Sequence, residues 1–260
     1  MNLRIVAMAV TAALVASIVG ASAQEAREIL APTGKLRVGV YLGSPTSLVR
    51  DSKTNETHGL SFDLGKELAK RLNVAFEQVN YQRISDVIEG IKAGDVDFTV
   101  SNSTPARAAT VTFSRNLLTI ELGYLVPPGS PITTIADVQK AGLRVGVTQG
   151  STTQGTIPKI LPNATLVPAQ NFKRAIEMFE HGELDTYATN KPTLFEMSDQ
   201  MPGSRVLDGR WGEEHLTVAI PKGHEAALEY IQHFVEDVQA NGLLAQSVER
   251  AGLRGALKAP

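Results

Sequence analysis

The chain has 260 residues, of which 43% are hydrophobic and 20% are charged, and its formal net charge is −2 at pH 7. This near balance excludes the strongly basic surface that nucleic-acid binding requires, and the absence of cysteine excludes a disulfide framework and a thiolate nucleophile. The length and the apolar content suffice for one large domain or two of medium size.

The first 23 residues are organised like a secretory signal peptide. Arg4 precedes an apolar run over residues 5–20, and Ala21-Ser22-Ala23 supplies the small residues of a cleavage site. The run is shorter than the roughly 20 apolar residues of a membrane span, and no cysteine follows that could be lipidated. We predict cleavage after Ala23, a mature chain that begins at Gln24, and a periplasmic location.

The string LRVGV occurs twice, at residues 36–40 and 143–147, and predicts an internal repeat of two buried strands. Each copy is followed by a helix, a strand, a second helix and a further strand, so each half reads as a β-α-β-α-β unit with a parallel sheet. Residues 24–34 end in a turn signal, which predicts that the ordered domain begins near Lys35.

Two apolar segments, residues 117–127 and 215–220, remain outside these units and are interpreted as crossings between two lobes. The predicted architecture is α/β, with each lobe a mostly parallel sheet flanked by helices. Lobe 1 is predicted to comprise residues 24–121 plus 219–260, and lobe 2 residues 122–218. A final helix, residues 226–241, is expected to pack on lobe 1.

Ligands of open parallel sheets bind beyond the carboxyl ends of the strands, where loops and helix N-termini converge. The loops expected there include residues 41–47, with Ser44, and residues 190–193, with Asn190 and Lys191. The internal repeat makes this second loop the counterpart of residues 101–107. A cleft between the lobes would be lined by both.

The segment SNSTPAR, residues 101–107, is the strongest candidate for a binding site. It follows an apolar strand predicted over residues 96–100, and it opens a helix with Thr104 as N-cap and Pro105 as first residue. The helix dipole disfavours the cation of Arg107 there, so a ligand carboxylate would offset it, with Ser101 and Asn102 as neighbouring polar groups. The alternative is a surface arginine without a ligand.

A second hold on an oxyanion is predicted at Gly150, Ser151 and Thr152, which combine backbone N–H groups with hydroxyls at a helix start. The alternative is a glycine that serves a tight turn and hydroxyls that cap the helix. Nucleotide-binding, hydrolase-elbow and zinc-protease motifs are absent from the sequence, and the histidines lack ligand spacing, so neither a cofactor nor a metal is predicted. Glu213 and Glu214 are interpreted as hinge or rim residues, or as a solvated charged turn.

With these motifs the chain resembles the bacterial extracellular solute-binding proteins of the polar amino-acid family, the receptors of ABC importers. The motifs are LRVGV, GLSFDLGKELAKRLN at residues 59–73, the TPAR of residues 104–107, and VGVTQGST at residues 145–152. The resemblance implies that Arg107 grips a ligand α-carboxylate, assisted by Thr104, Ser151 and Thr152. It further implies that where relatives commonly place an aspartate for the ligand ammonium, this chain has Asn190, followed by Lys191.

The function hypothesis is a monomeric periplasmic receptor that closes on a small amino-acid-like or organic-anion solute and presents it to an inner-membrane ABC permease. The alternative is a periplasmic dehydratase or lyase on the same scaffold. Because an amide cannot neutralise an ammonium group, a standard α-amino acid is expected to bind weakly at Asn190 unless another carboxylate reaches in.

Overall fold

The computed structural model describes residues 23–51, 54–140 and 142–257 as two α/β lobes. The strands are β1 (Lys35–Tyr41), β2 (Val49–Arg50), β3 (Thr57–His58), β4 (Ala75–Tyr81), β5 (Thr99–Asn102), β6 (Val111–Val126), β7 (Arg144–Thr148), β8 (Thr165–Ala169), β9 (Thr186–Asn190), β10 (Arg205–Val206), β11 (Gly212–Pro221) and β12 (Ala256–Leu257). The helices are α1 (residues 23–30), α2 (Leu60–Arg71), α3 (Ile84–Ala93), α4 (Pro105–Ala108), α5 (Ile135–Val138), α6 (Thr152–Ile160), α7 (Phe172–Glu180), α8 (Lys191–Gln200), α9 (Leu228–Ala240) and α10 (Leu243–Arg250). None of the helices in these ranges is long and apolar enough to cross a membrane.

The first lobe is built on the strand that the first LRVGV string predicts. β1 pairs in parallel with β4 over its whole length, and a parallel bridge joins β1 to the segment just before β5. The alternating residues Leu36, Val38 and Val40 are fully buried, together with Leu64 and Leu68 of α2. Apolar side chains recur every two residues on the strand and about every 3.6 residues on the helix, and the two apolar faces pack against each other.

The second lobe repeats this arrangement around the second LRVGV string. β7 lies between β8 and β9 and is parallel to both. Val145 and Val147 pack with Tyr124 in one core cluster, whereas Tyr187 and Phe179 belong to a second cluster. Apolar clusters of this kind are what a parallel sheet flanked by helices requires.

Two antiparallel strands, β6 and β11, run through both lobes and account for the predicted crossings. β6 has 16 residues, and its Ile120 packs in the core of the first lobe while its Tyr124 packs in the core of the second. The predicted boundaries at 121/122 and 218/219 stay predictions. We propose that the second boundary lies before Leu216, because this residue of β11 packs in the core of the first lobe.

The internal repeat extends to an ion pair at the start of each sheet. The Arg37 guanidinium donates to both carboxylate oxygens of Asp97, and Arg144 makes the same bonds to Asp185. In each pair the carboxylate also accepts the backbone N–H of its arginine. Each guanidinium donates further to a glycine carbonyl three residues before the aspartate. The repeat is therefore one of tertiary contacts as well as of sequence.

The prediction that order begins near Lys35 is wrong. Residues 23–30 form α1, and its Ala26 and Leu30 are buried in the core of the first lobe. At the other end α9 packs on that core as predicted, through Ile231 and Phe234, and α10 with β12 extends the lobe beyond it. Of the predicted signal peptide, residues 1–22 lie outside the described residues.

Candidate functional site

A cleft between the lobes encloses about 730 Å³, which includes space open to solvent. It lies at the carboxyl ends of β1, β5, β7 and β9, where the parallel-sheet argument places a ligand. The predicted site residues that line it are Ser44, Ser101, Asn102, Arg107, Ser151, Thr152 and Asn190. Both halves of the repeat thus contribute to one site.

Arg107 is presented by α4, which begins where the sequence predicts. Thr104 is the N-cap, and its Oγ1 accepts the Arg107 backbone N–H at 3.3 Å. The preceding strand β5 starts later than predicted and includes Ser101 and Asn102, so these two side chains are fixed by sheet pairing with β11. The Arg107 guanidinium therefore starts from a rigid element.

The Arg107 guanidinium is only partly satisfied by the protein. Its Nη1 donates to Ser101 Oγ at 2.9 Å and to the Asn102 carbonyl at 3.3 Å. Among the described residues nothing accepts from its Nε or Nη2, and none forms an ion pair with it. Removal from water lowers the pKa of Arg107, and the nearby Glu214 carboxylate opposes this shift. The group has the free donors that bidentate carboxylate binding needs.

Glu214 of β11 is the functional residue that sequence reasoning missed. Its side chain lines the cleft, and the residue is only 8% exposed. Oε1 accepts from Thr152 Oγ1 at 2.8 Å and from Asn102 Nδ2 at 3.3 Å, and Oε2 accepts from Asn190 Nδ2 at 3.4 Å. One carboxylate therefore joins residues from both lobes.

Comparison with the adjacent Glu213 shows that the alternation of side chains along β11 could have identified Glu214 as a cleft residue. Successive strand side chains point to opposite faces, and Glu213 is directed away from the cleft to an ion pair with Arg210 at 3.0 Å. Once residues 212–221 are read as a strand, one of the two glutamates must face the interior. The interpretation of both as a solvated turn is wrong because β11 begins at Gly212.

Three predicted site residues do not line the cleft. Thr104 acts as the cap of α4. Gly150 forms a tight turn with φ +74°, next to Ser85 of the first lobe. Lys191 turns away, and its Nζ lies 2.6 Å from Glu121 Oε2 on the crossing strand β6. Lys191 therefore does not bring a positive charge to a ligand near Asn190.

Direct contacts between the lobes show that the cleft is closed. Ser44 Oγ lies 2.8 Å from Thr193 Oγ1, and Arg83 Nη1 donates to Gln149 Oε1 at 3.2 Å. A Cβ on Gly43 would stand 2.3 Å from the Phe172 ring across the cleft. Residues of both lobes thus reach a ligand at the same time.

Within the described residues, no group of three or more His, Asp or Glu is placed to hold a metal ion.

Comparisons with known proteins agree with this geometry. The family model of the bacterial extracellular solute-binding proteins, family 3, matches residues 36–252. The glutamine-binding protein of Geobacillus stearothermophilus is 26% identical over 193 residues, which cover 73% of this chain and 73% of that protein.

Solved structures give the same result. The crystal structure of a mutant of ArgBP from T. maritima has a TM-score of 0.77 at 21% identity and covers 88% of this chain and 100% of its own, which shows the shared fold. The crystal structure of an ancestral amino acid-binding protein, a precursor of cyclohexadienyl dehydratase, has a TM-score of 0.73 at 26% identity and covers 84% and 96% respectively.

Proposed function

Because the chain belongs to the bacterial extracellular solute-binding proteins of family 3, we propose that it captures a small carboxylate-bearing solute between its lobes and presents it to an ABC permease. The solute is amino-acid-like or an organic anion. The glutamine-binding protein among its relatives has a ligand of this kind. The partners are the solute and an inner-membrane permease, and the receptor itself acts as a monomer.

The observation that carries this proposal is the free face of Arg107 in a closed cleft. The guanidinium is held by Ser101 and Asn102 through one nitrogen, its remaining donors have no acceptor among the described residues, and Arg107 lines the cleft. Ser151 and Thr152 approach from the second lobe. A carboxylate bound by both lobes stabilises the closed state through the contacts that only closure provides.

The experiment that tests it is a ligand screen followed by substitution of Arg107. The twenty amino acids and a set of hydroxy, keto and dicarboxylic acids are screened by thermal shift, and the tightest binder is titrated by calorimetry. Arg107→Ala should weaken binding by about 2 to 5 kcal/mol, because the carboxylate loses a charge-assisted bidentate partner. Arg107→Lys should also bind poorly, since a point charge cannot reproduce the planar fork.

Arg115→Ala is the matched control for these variants. Arg115 is half exposed on the first lobe and pairs with Glu236, far from the cleft. Its removal should leave the affinity unchanged. Wild-type affinity in both Arg107 variants would refute the proposal.

The second candidate function is a dehydratase or lyase. It is favoured by one observation, the buried Glu214 carboxylate in a closed cleft, which is placed like a general acid, and by similarity to a precursor of cyclohexadienyl dehydratase. Time-resolved NMR of the bound compound separates the two functions. Unchanged compound after prolonged incubation supports the receptor, and a new product supports the enzyme.

We also propose that residues 1–23 are a cleaved signal peptide. Cleavage after Ala23 removes the apolar run and leaves Ala26 and Leu30 of α1 in the core of the first lobe. N-terminal sequencing of periplasmic protein should read from Gln24. A chain that keeps Met1 in the inner membrane would contradict the localisation.

A further inference from the structure

The interlobe cleft contains one anionic side chain, Glu214, which forms no ion pair within the described residues, although Arg107 lies near enough for the two charges to attract each other. Its partners Asn102, Thr152 and Asn190 are all neutral, and no cation of the described residues lies within ion-pair distance. A buried carboxylate without a direct ion pair is costly, and a bound cation would lower that cost. We propose that Glu214 binds the ammonium group of an α-amino acid whose side chain is uncharged. This inference rests on the proposed function and names its substrate class.

The hydrogen bonds of Glu214 leave room for a further donor. Oε1 accepts two hydrogen bonds, from Thr152 and Asn102, whereas Oε2 accepts one, from Asn190 at 3.4 Å. A carboxylate accepts about four hydrogen bonds, so Oε2 retains acceptor capacity toward the cleft. An ammonium group has three donors and matches this capacity.

The spacing of the two charged groups suits an α-amino acid. Asn102 contacts both groups: its carbonyl accepts from Arg107 Nη1 at 3.3 Å and its Nδ2 donates to Glu214 Oε1 at 3.3 Å. Arg107 and Glu214 therefore lie on either side of one residue, Asn102. The carboxylate and ammonium groups of an α-amino acid are joined through a single carbon, so one small zwitterion reaches both.

Glu214 also supplies the carboxylate whose absence at position 190 argues against the binding of amino acids. The sequence argument against them rests on Asn190, and it holds only if no other carboxylate reaches in. Glu214 does so from the crossing strand β11, and Asn190 donates to it. The negative charge thus comes from the hinge region instead of the start of α8.

The remaining lining selects for an uncharged ligand side chain. Of the described lining residues the one further charged side chain is Arg83, whose guanidinium is engaged by Gln149, Gln170 and Asp86. The other surface is apolar or hydroxylic, with Phe172, Ile84, Met197, Thr189 and Thr193 among its members. Once Glu214 holds the ammonium, a lysine or arginine side chain finds no second carboxylate there.

The test compares Glu214→Gln with the matched control Glu213→Gln, its neighbour on the outer face of β11. The probes are the L-amino acids with uncharged side chains, L-lysine, L-arginine, and the 2-hydroxy acids L-lactate and 2-hydroxyisocaproate. Wild type should bind an uncharged amino acid most tightly. Glu214→Gln should weaken this binding about 30-fold or more, with little change for the hydroxy acids, and Glu213→Gln should resemble wild type.

A double variant, Asn190→Asp with Glu214→Gln, moves the carboxylate to the neighbouring side chain at position 190, whose Nδ2 lies 3.4 Å from Glu214 Oε2. Asn190 caps α8 by accepting the Thr193 N–H at 3.1 Å, and aspartate caps equally well, so the fold is retained. Amino-acid binding should recover. This rescue separates a charge requirement from a merely structural role of Glu214.

Three results would overturn the inference. They are amino-acid affinity that survives Glu214→Gln, an equal loss for amino acids and hydroxy acids, and wild-type preference for lysine or arginine. The proposed function fails separately, when Arg107→Ala leaves carboxylate binding unchanged or when wild type binds none of the carboxylates.

Discussion

At the residue scale, the two arginine–aspartate pairs make the same hydrogen bonds at equivalent positions of the repeat, but they differ in burial. Asp97 is buried, with 2% of its side chain exposed, whereas 31% of the Asp185 side chain is exposed. A buried pair that loses one partner leaves a poorly solvated charge behind, while an exposed one is compensated by water. Equivalent positions of the repeat therefore contribute unequally to stability.

We predict that Asp97→Asn lowers the free energy of unfolding by about 3 kcal/mol and Asp185→Asn by about 1 kcal/mol or less. Urea unfolding followed by circular dichroism measures both. Equal losses in the two variants would contradict the role of burial.

Acid should weaken the second pair in a defined direction. The hydrogen bond from Arg144 lowers the pKa of Asp185, so the pair stabilises the protein at neutral pH, above the unfolded-state pKa of about 3.9. That contribution is lost as the pH falls through the lowered pKa. The stability difference between wild type and Asp185→Asn should accordingly shrink below about pH 4.

Arg107 and Glu214 show which part of the site could be predicted from the sequence and which could not. Arg107, with its cap and its polar neighbours, followed from helix-start chemistry, because capping depends on a few adjacent residues. Glu214 did not, because its meaning depends on which face of β11 looks into the cleft. That face is set by pairing with β5, which is distant in sequence.

At the element scale, β6 depends on a carboxylate at the point where it leaves the first lobe. Glu121 accepts from Lys191 at 2.6 Å and from Arg210 at 3.0 Å, and hydrogen bonding by Lys191 lowers its pKa. The Lys191 side chain is 12% exposed, so it has little water to replace its partner. The crossing strand is thereby tied to the start of α8.

We predict that Glu121→Gln destabilises the protein by about 1 to 3 kcal/mol, because a mostly buried lysine loses its counter-charge. Thermal and urea unfolding measure the loss. Glu196→Gln on α8 breaks no ion pair among the described residues and serves as the control. A variant as stable as wild type would mean that water replaces Glu121.

The first helix allows a second test at this scale. Leu30 of α1 is fully buried in the core of the first lobe. Leu30→Ala should cost about 2 to 5 kcal/mol of unfolding free energy, through lost burial and the cavity left behind. Ile160→Ala, at a residue 41% exposed, should cost far less. A harmless Leu30→Ala would place α1 outside the cooperative core.

Elements with long apolar periodicity could be predicted, and so could the short helix α4 from its cap, whereas α1 could not. The helices around Leu64 and Ile84 and both LRVGV strands lie where the pattern indicates. The sequence does not predict α1, because its few apolar residues lie beside a cleavage signal and the turn at Pro32 indicates a domain boundary. Its helical state depends on burial against the first lobe, which local sequence does not reveal.

At the scale of the whole molecule, glycine allows the lobes to meet. Gly150 has φ +74°, and a Cβ there would lie 2.5 Å from Ser85 Oγ of the opposite lobe. Gly182 has φ +64° and nothing within 4 Å of a Cβ position. The two glycines share a left-handed backbone and differ in what a side chain would meet.

We predict that Gly150→Ala impedes closure and weakens ligand binding about 10-fold, whereas Gly182→Ala costs comparable backbone strain without loss of affinity. Calorimetry reports the affinity, and small-angle X-ray scattering with saturating ligand reports the extent of closure. Identical affinities in the two variants would show that the Ser85 contact does not limit closure.

Glu214 lies on β11, one of the two strands that connect the lobes, and this position affects how far it moves when the lobes close. When lobes rotate about such strands, the path of each atom grows with its distance from the axis. Glu214 lies on one of these strands, so we expect it to move less on closure than Arg83 and Gln149, which meet across the cleft. On this basis we expect a solute held by Glu214 to keep its position while the lobes close over it, so that solute arrival and enclosure are successive events with separate rates.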